Sequence, residues 1–221
     1  MAKIPALPDR GLSLVQDGRF DPGVAVDLRV GNALAIRSVA STVDLWDRGR
    51  STPNFQQIEI LRSSRGGDSW VLAYGGGVRQ EWGGAQTLVA RMAASADVSS
   101  STIAGSFVLE KALRHGHDSA DVVTTIGITR AVNSRVAFGL EGVGRDLEGF
   151  WERDESDGGA RLLVGPSLRL ISRSARWRAS LVGGPMATST PTSNTTLDRA
   201  VTLSGHFAVL ASVTYSAGND R

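Results

Sequence analysis

The sequence predicts an all-β fold, a single antiparallel up-and-down barrel of about 10–12 strands, an even number being expected of such a sheet. Three observations carry the prediction. Val, Ile, Thr, Phe, Tyr and Trp fall into segments where apolar and polar residues alternate with period two. Clusters of Gly, Pro, Asn, Asp and Ser separate those segments. The uninterrupted apolar runs are short, as in Trp70 to Tyr74 and Phe207 to Ala211, far below the ~20 residues of a membrane-crossing helix.

The segments follow in chain order. Val24, Val26, Leu28 and Val30 lie opposite Asp27 and Arg29. Asn32 to Trp46 alternates poorly and reads as two strands or one bent strand. Ile58 and Ile60 face away from Gln57 and Glu59, and Trp70, Leu72, Tyr74 and Val78 away from Arg79 and Glu81. Leu88, Ala90 and Met92 oppose Arg91; Ile103, Phe107 and Leu109 oppose Ser106 and Glu110. Val122, Ile126 and Ile128 oppose Thr125 and Thr129. Val136, Phe138 and Leu140 alternate with Arg135, Ala137, Gly139 and Glu141. Leu162, Val164, Leu168 and Leu170 alternate with Arg161, Ser167 and Arg169, and Trp177, Ala179 and Leu181 with Arg178 and Ser180. The last segment is the clearest. Val201, Leu203, Gly205, Phe207, Val209, Ala211, Val213 and Tyr215 share one, apolar face, while Thr202, Ser204, His206, Ala208, Leu210, Ser212 and Thr214 share the other, mostly small or polar.

Turn clusters stand at Asp21-Pro22-Gly23, Ser63 to Asp68, Gly83-Gly84, Asp97 to Ser101, His115 to Ser119, Asn133-Ser134, Asp154 to Gly159 and Ser189 to Thr196. Short ones fit hairpins and long polar ones fit surface loops. Short and long connections alternate in the second half, as the two ends of a membrane barrel require. No domain boundary is visible, so residues 1–221 read as one barrel domain, with 1–10 a flexible N-terminal segment and 216–221 a C-terminal tail.

Composition narrows the function. The 24 basic and 22 acidic residues leave a formal charge of +2, without the dense basic stripe of a nucleic-acid binder. Lys occurs only at Lys3 and Lys111, so the positive charge is Arg, which forms forked ion pairs. With no Cys, neither a disulfide framework nor a thiolate metal site exists. The first ten residues lack the apolar core of a signal peptide; for an exported chain the expectation is that the signal has been removed.

Alternation alone does not orient the apolar face. A soluble barrel points it inward and a membrane barrel points it at lipid. Several segments run to about nine residues or more, against a globular mode of about five or six. The opposite face carries Gly, Ala, Ser and Thr with charges of both signs, not the dense Lys and Glu of a water-facing sheet. The expectation is therefore a transmembrane barrel. Its lumen-lining candidates are Asp27, Arg29, Glu59, Arg79, Glu81, Arg91, Glu110, Glu141, Arg161, Arg169, Arg178 and His206. Its lipid-facing candidates are Leu72, Val136, Phe138, Leu140, Leu162, Val164, Leu168, Leu181, Phe207, Val209, Val213 and Tyr215. Trp46, Trp70, Tyr74, Trp82, Trp151, Trp177 and Tyr215 lie near segment ends, as interfacial aromatic girdles do.

One stretch also resembles a known group. Gly142 to Glu152, an acidic Gly/aromatic turn after a strand, followed by the Gly158-Gly159-Ala160-Arg161 strand running to Pro166, looks like uncharacterised bacterial outer-membrane β-barrel proteins. Phe107 to Leu113 and Asp121 to Thr129 fit the preceding hairpin of that pattern, and the likeness covers roughly residues 70–187. It implies the fold, the bacterial outer membrane, a lipid bilayer and the barrel-insertion machinery as partners, and no activity. Such barrels typically end on an aromatic residue; here Tyr215 takes that place and Ser216 to Arg221 follow it.

No catalytic, cofactor or metal site is expected. His115-Gly116-His117-Asp118 shows no third ligand and reads as a polar turn, and His206 reads as a lumen hydrogen-bonding group. No Gly-x-Ser-x-Gly elbow marks a nucleophile. Gly75-Gly76-Gly77 precedes neither Lys-Ser/Thr nor a helix, so it reads as glycines relieving crowding in a bending sheet. The expected role is that of a monomeric outer-membrane barrel, structural or narrowly conducting, with an Arg/Glu lumen filled by ion pairs. The alternatives are a soluble barrel holding an apolar ligand and, last, an outer-membrane hydrolase.

Overall fold

The computed structural model describes residues 11–14, 23–30, 33–41, 55–66, 69–82, 84–113, 120–150, 160–174, 176–189 and 206–215. These form twelve strands in chain order. They are β1 (Gly11–Leu14), β2 (Gly23–Val30), β3 (Leu34–Ser41), β4 (Phe55–Gly66), β5 (Trp70–Glu81) and β6 (Gln86–Val98), then β7 (Ser101–Ala112), β8 (Ala120–Ala131), β9 (Val136–Arg145), β10 (Ala160–Ile171), β11 (Trp177–Ser189) and β12 (His206–Tyr215). One 3₁₀ turn, Leu147–Phe150, follows β9. Each strand pairs antiparallel with its sequence neighbours, and β1 closes the barrel on β12, Ser13 opposite Thr214. Closure removes both sheet edges, so the backbone groups of every strand can be satisfied without water.

The two ends differ. At one, the gaps 31–33, 67–69, 99–100, 132–135 and 172–176 join successive strands, and β12 finishes there beside the start of β1. At the other, the gaps 15–22, 42–54, 82–85, 113–119, 146–159 and 190–205 do so. These are called below the turn end and the loop end. Local chemistry sets the tight turns. Asn133 Oδ1 accepts the backbone N–H groups of Arg135 (2.8 Å) and Val136 (3.0 Å). At the loop end Gly84, with φ +92°, closes the β5–β6 turn by donating to Glu81 O at 2.9 Å.

The segment Asn32 to Trp46 contributes one strand, β3, among the described residues. Ser63 to Asp68 is not wholly a turn: β4 continues to Gly66, because Arg62 to Gly66 pair with Tyr74 to Trp70. That pairing wins over the turn propensity of Ser63-Ser64, since ladder bonds outweigh a weak local preference. The last strand is described from His206; Val201 to Gly205 lie outside the described residues, as do residues 1–10, 216–221, His115, His117, Trp46 and Trp151.

The apolar face points outward. Phe138, Leu140 and Val209 are 55%, 54% and 54% exposed, and Ile126 is 64% exposed. Leu28, Ile60, Val78, Leu88, Met92 and Phe107 continue the same band on other strands. The alternate positions are mostly buried or half-buried. A soluble protein rarely leaves an apolar patch beyond a few hundred Å² uncovered, whereas an outward apolar band is what a hydrocarbon environment demands. Trp70, Trp177 and Tyr215 stand at the turn end of this band; Trp177 and Tyr215 are register partners with ring centroids 4.7 Å apart. Trp82 and Phe207 stand at the loop end.

Candidate functional site in the barrel lumen

On the inner face of β2 to β7, six charged side chains form three pairs. Asp27 lies directly across from Arg37, whose Nε and Nη2 reach its two oxygens at 2.7 and 3.2 Å. Arg37 is in turn the register partner of Glu59. Glu59 is fully buried and accepts from Arg91 Nε at 2.8 Å, Arg91 Nη2 at 3.1 Å and Gln57 Nε2 at 2.5 Å. Gln57 Oε1 accepts from Arg79 Nε at 3.1 Å; Arg79 Nη2 pairs with Glu110, and its guanidinium sits 4.7 Å from the Phe55 ring. Buried charges are tolerable when paired and hydrogen-bonded, and the forked Arg–carboxylate geometry supplies both at once.

The glycine run of β5 makes this lattice possible. Glu59 on β4 and Arg91 on β6 have β5 between them, with Gly77 opposite Glu59 and Gly75 opposite Arg91. Neither glycine raises a side chain, so Arg91 crosses β5 to reach Glu59. The strands also approach too closely there for any other residue. A Cβ at Gly77 would sit 1.8 Å from Ile58 O, and one at Gly75 2.0 Å from Ile60 O.

The other side of the lumen is built differently. Inward hydroxyls pair across strands: Ser106 with Thr125 and Ser180 with Ser212, both at 2.6 Å. A cavity of about 250 Å³ opens at the turn end, lined among others by Thr129, Ser180, Ser212, Thr214, Arg169 and Arg178. A second, of about 210 Å³, reaches back to β3–β7, where Arg37, Ala73, Arg91 and Ser106 wall it together with Thr125, Glu141 and Arg169. Arg169 lines both, with Glu141 3.6 Å away. Apolar clusters cover the remaining inner wall: Val89, Val108 and Val123, and Val143, Leu163, Val182 and Leu210.

At the loop end, Arg145 pairs with Asp121 at 3.1 Å and Asp146 at 3.3 Å. Asp146 just follows β9, with φ +48°. It exchanges bonds with Val122, its N–H donating to Val122 O (2.8 Å) and its Oδ1 accepting from Val122 N–H (3.0 Å). Burial, and next the Asp121 charge, push the Asp146 carboxyl above its ordinary value, against the pull of Arg145.

Of the lumen candidates, Asp27, Glu59, Arg79, Arg91 and Glu110 are buried inside the barrel. Glu81, Glu141, Arg161, Arg169 and Arg178 are half-buried at inward positions, and His206 is exposed at the start of β12. The Arg29 side chain lies outside the described residues. Of the lipid-facing candidates, Phe138, Leu140, Val164, Leu181, Phe207, Val209 and Val213 are exposed. Leu72, Val136, Leu162, Leu168 and Tyr215 are half-buried at outward positions. Sequence reasoning missed Arg37, Gln57, Asp121, Arg145 and Asp146. Arg37 follows Leu34 and Ile36 at the right spacing but sits in the poorly alternating stretch. Gln57 shares the inner face with Glu59 but carries no charge to mark it.

No family model matches the sequence, and no curated protein matches it. Solved structures do share the shape. The NanC porin aligns with a TM-score of 0.56 at 12% identity, covering 96% of this chain and 100% of that one. The KdgM porin, also solved in complex with disordered oligogalacturonate, aligns with a TM-score of 0.55 at 10% identity, covering 94% of this chain and 98% of that one. At such identities the likeness is one of fold: this chain has the antiparallel barrel architecture of porins.

Proposed function

We propose that this chain is a bacterial outer-membrane β-barrel with a narrow polar passage and no catalytic role. The observation that carries the membrane reading is the orientation of the alternation. Leu, Ile, Val and Phe stand exposed on the outside while Asp27, Glu59, Arg79, Arg91 and Glu110 are buried inside. A soluble barrel with a ligand in its core would reverse that arrangement. The aromatic residues at both rims and the division into a turn end and a loop end support the same reading. The turn end then faces the periplasm, the bilayer is the main partner, and the insertion machinery is the second.

The ion-pair lattice fills part of the inner face of β2–β7, and the route for solute runs through the space it leaves. Two cavities that share Arg169 support it, one at the turn end and one lined mainly by β3–β7. Polar walls with a few fixed charges select by charge and size rather than by chemistry, and the porin fold of the structural neighbours is in keeping with it. Two measurements test the proposal. The refolded chain should need detergent to stay monodisperse and should show heat-modifiable gel mobility; a monodisperse chain without detergent overturns the membrane reading. In planar bilayers it should give small conductance steps, with anion preference reduced by Arg169→Gln and Arg178→Gln. Silent bilayers with inserted barrel would overturn the passage and leave a structural barrel.

A further inference from the structure

The outer rim of the turn end is one-sided in charge. Arg130 is the outward residue at the end of β8, between Ser101 and Phe138 in the ladder, and is exposed. In the β8–β9 turn the Arg135 carbonyl accepts the Ile171 N–H at 2.8 Å, which sets that turn beside the next one, while Arg135 itself lines the turn-end cavity. The β10–β11 turn carries exposed Arg173 and Arg176. It is held by Ser172 N–H to Trp177 O (2.9 Å) and by Trp177 N–H to Ser172 Oγ (3.1 Å). Trp177 and Tyr215, a tilted ring pair, stand at the turn end of the apolar band. Among the described residues the carboxylate at this end is Asp97, on the lumen side, where Thr102 Oγ1 donates to it at 2.7 Å. Three guanidinium groups thus line an arc of rim that no described carboxylate neutralises.

We infer that this arc, Arg130, Arg173 and Arg176 beside Trp177 and Tyr215, is a docking surface for the phosphodiester headgroups of anionic phospholipids. The inference rests on the membrane reading. Its position decides the occupant. The arginines stand where the apolar band ends, which is headgroup depth, and the aromatic pair marks the same level. Arg matches phosphate oxygens with two parallel donors. A basic residue at a charged lipid surface favours association by roughly fivefold. The arc would hold the barrel at a fixed depth and bias the leaflet in contact with its turn end towards anionic lipid.

The test is lipid competition at the protein surface. The barrel is reconstituted in vesicles of brominated phosphatidylcholine, which quenches tryptophan, with rising fractions of unbrominated phosphatidylglycerol. The expected result is a relative affinity for phosphatidylglycerol several times that for phosphatidylcholine, falling towards one in 1 M salt and in Arg130→Gln/Arg173→Gln/Arg176→Gln. Equal affinity in the unaltered chain, or a preference that survives the triple substitution, overturns the inference while leaving the barrel in the membrane. No quenching by any brominated lipid overturns the membrane reading itself. Heat-modifiable mobility checks that the triple variant folds; should it fail, the single Arg130→Gln and Arg173→Gln variants must each lower the preference.

Discussion

Replacing Arg91 by Leu should be among the most damaging single changes in the barrel wall. Glu59 is fully buried and takes two of its hydrogen bonds from Arg91, at 2.8 and 3.1 Å. Bonds to a charged group contribute about 1.5–3 kcal/mol each, and water cannot replace them where Glu59 has no exposed surface. Removing one partner of a buried pair costs about 3–5 kcal/mol, most of it the cost of the charge left behind. The double variant Glu59→Leu/Arg91→Leu removes both charges and should recover most of that loss. Urea unfolding of the reconstituted barrel, followed by tryptophan emission, measures all four corners of the cycle. A loss below about 1 kcal/mol for Arg91→Leu, or strictly additive effects in the double variant, would refute the assignment of the pair as the centre of the lattice.

Other substitutions test other parts of the structure. Gly77→Ala places a methyl 1.8 Å from Ile58 O and should abolish folding or lower the urea midpoint severely; Gly142→Ala, with its nearest neighbours at 3.8 Å, should fall within about 0.5 kcal/mol of the parent. Leu140→Arg, on the outer face, should destabilise the bilayer-embedded barrel by about 2–4 kcal/mol, and an unchanged midpoint would count against lipid contact at that position. Asp146 has a folded pKa raised above the ordinary 3.8, so its contribution to stability is complete below that value and declines as pH rises through the raised one. Asp146→Asn keeps an acceptor for Val122 N–H and suits the positive φ; it should flatten that decline and match or exceed the parent at pH 8, as read from urea midpoints across pH.

The strands themselves were legible because period two is a local property. Val136, Phe138 and Leu140 announce an outward face whatever they pair with, and the structure puts all three at outward positions. The errors arose where local signals are weak. The Ser63-Ser64 pair looked like a turn, yet β4 runs on because β5 offers it a ladder to Gly66. The stretch around Arg37 lacked clean alternation, so the residue that bonds Asp27 went unnamed.

The sequence by itself determined an all-β chain, the inner and outer faces of most strands, and a set of inward charges of both signs. Only the tertiary structure decided which charges meet. Glu59 and Arg91 are 32 positions apart and Arg79 and Glu110 are 31 apart, each pair separated by an intervening strand. Their contact depends on the register of successive hairpins and on which intervening positions lack a side chain. The meaning of Gly75 and Gly77 was settled at the same level: in the sequence they are an isolated glycine run, and in the barrel they are the floor that Arg91 crosses. Alternation is written into each strand separately, whereas register and closure are properties of all the strands at once.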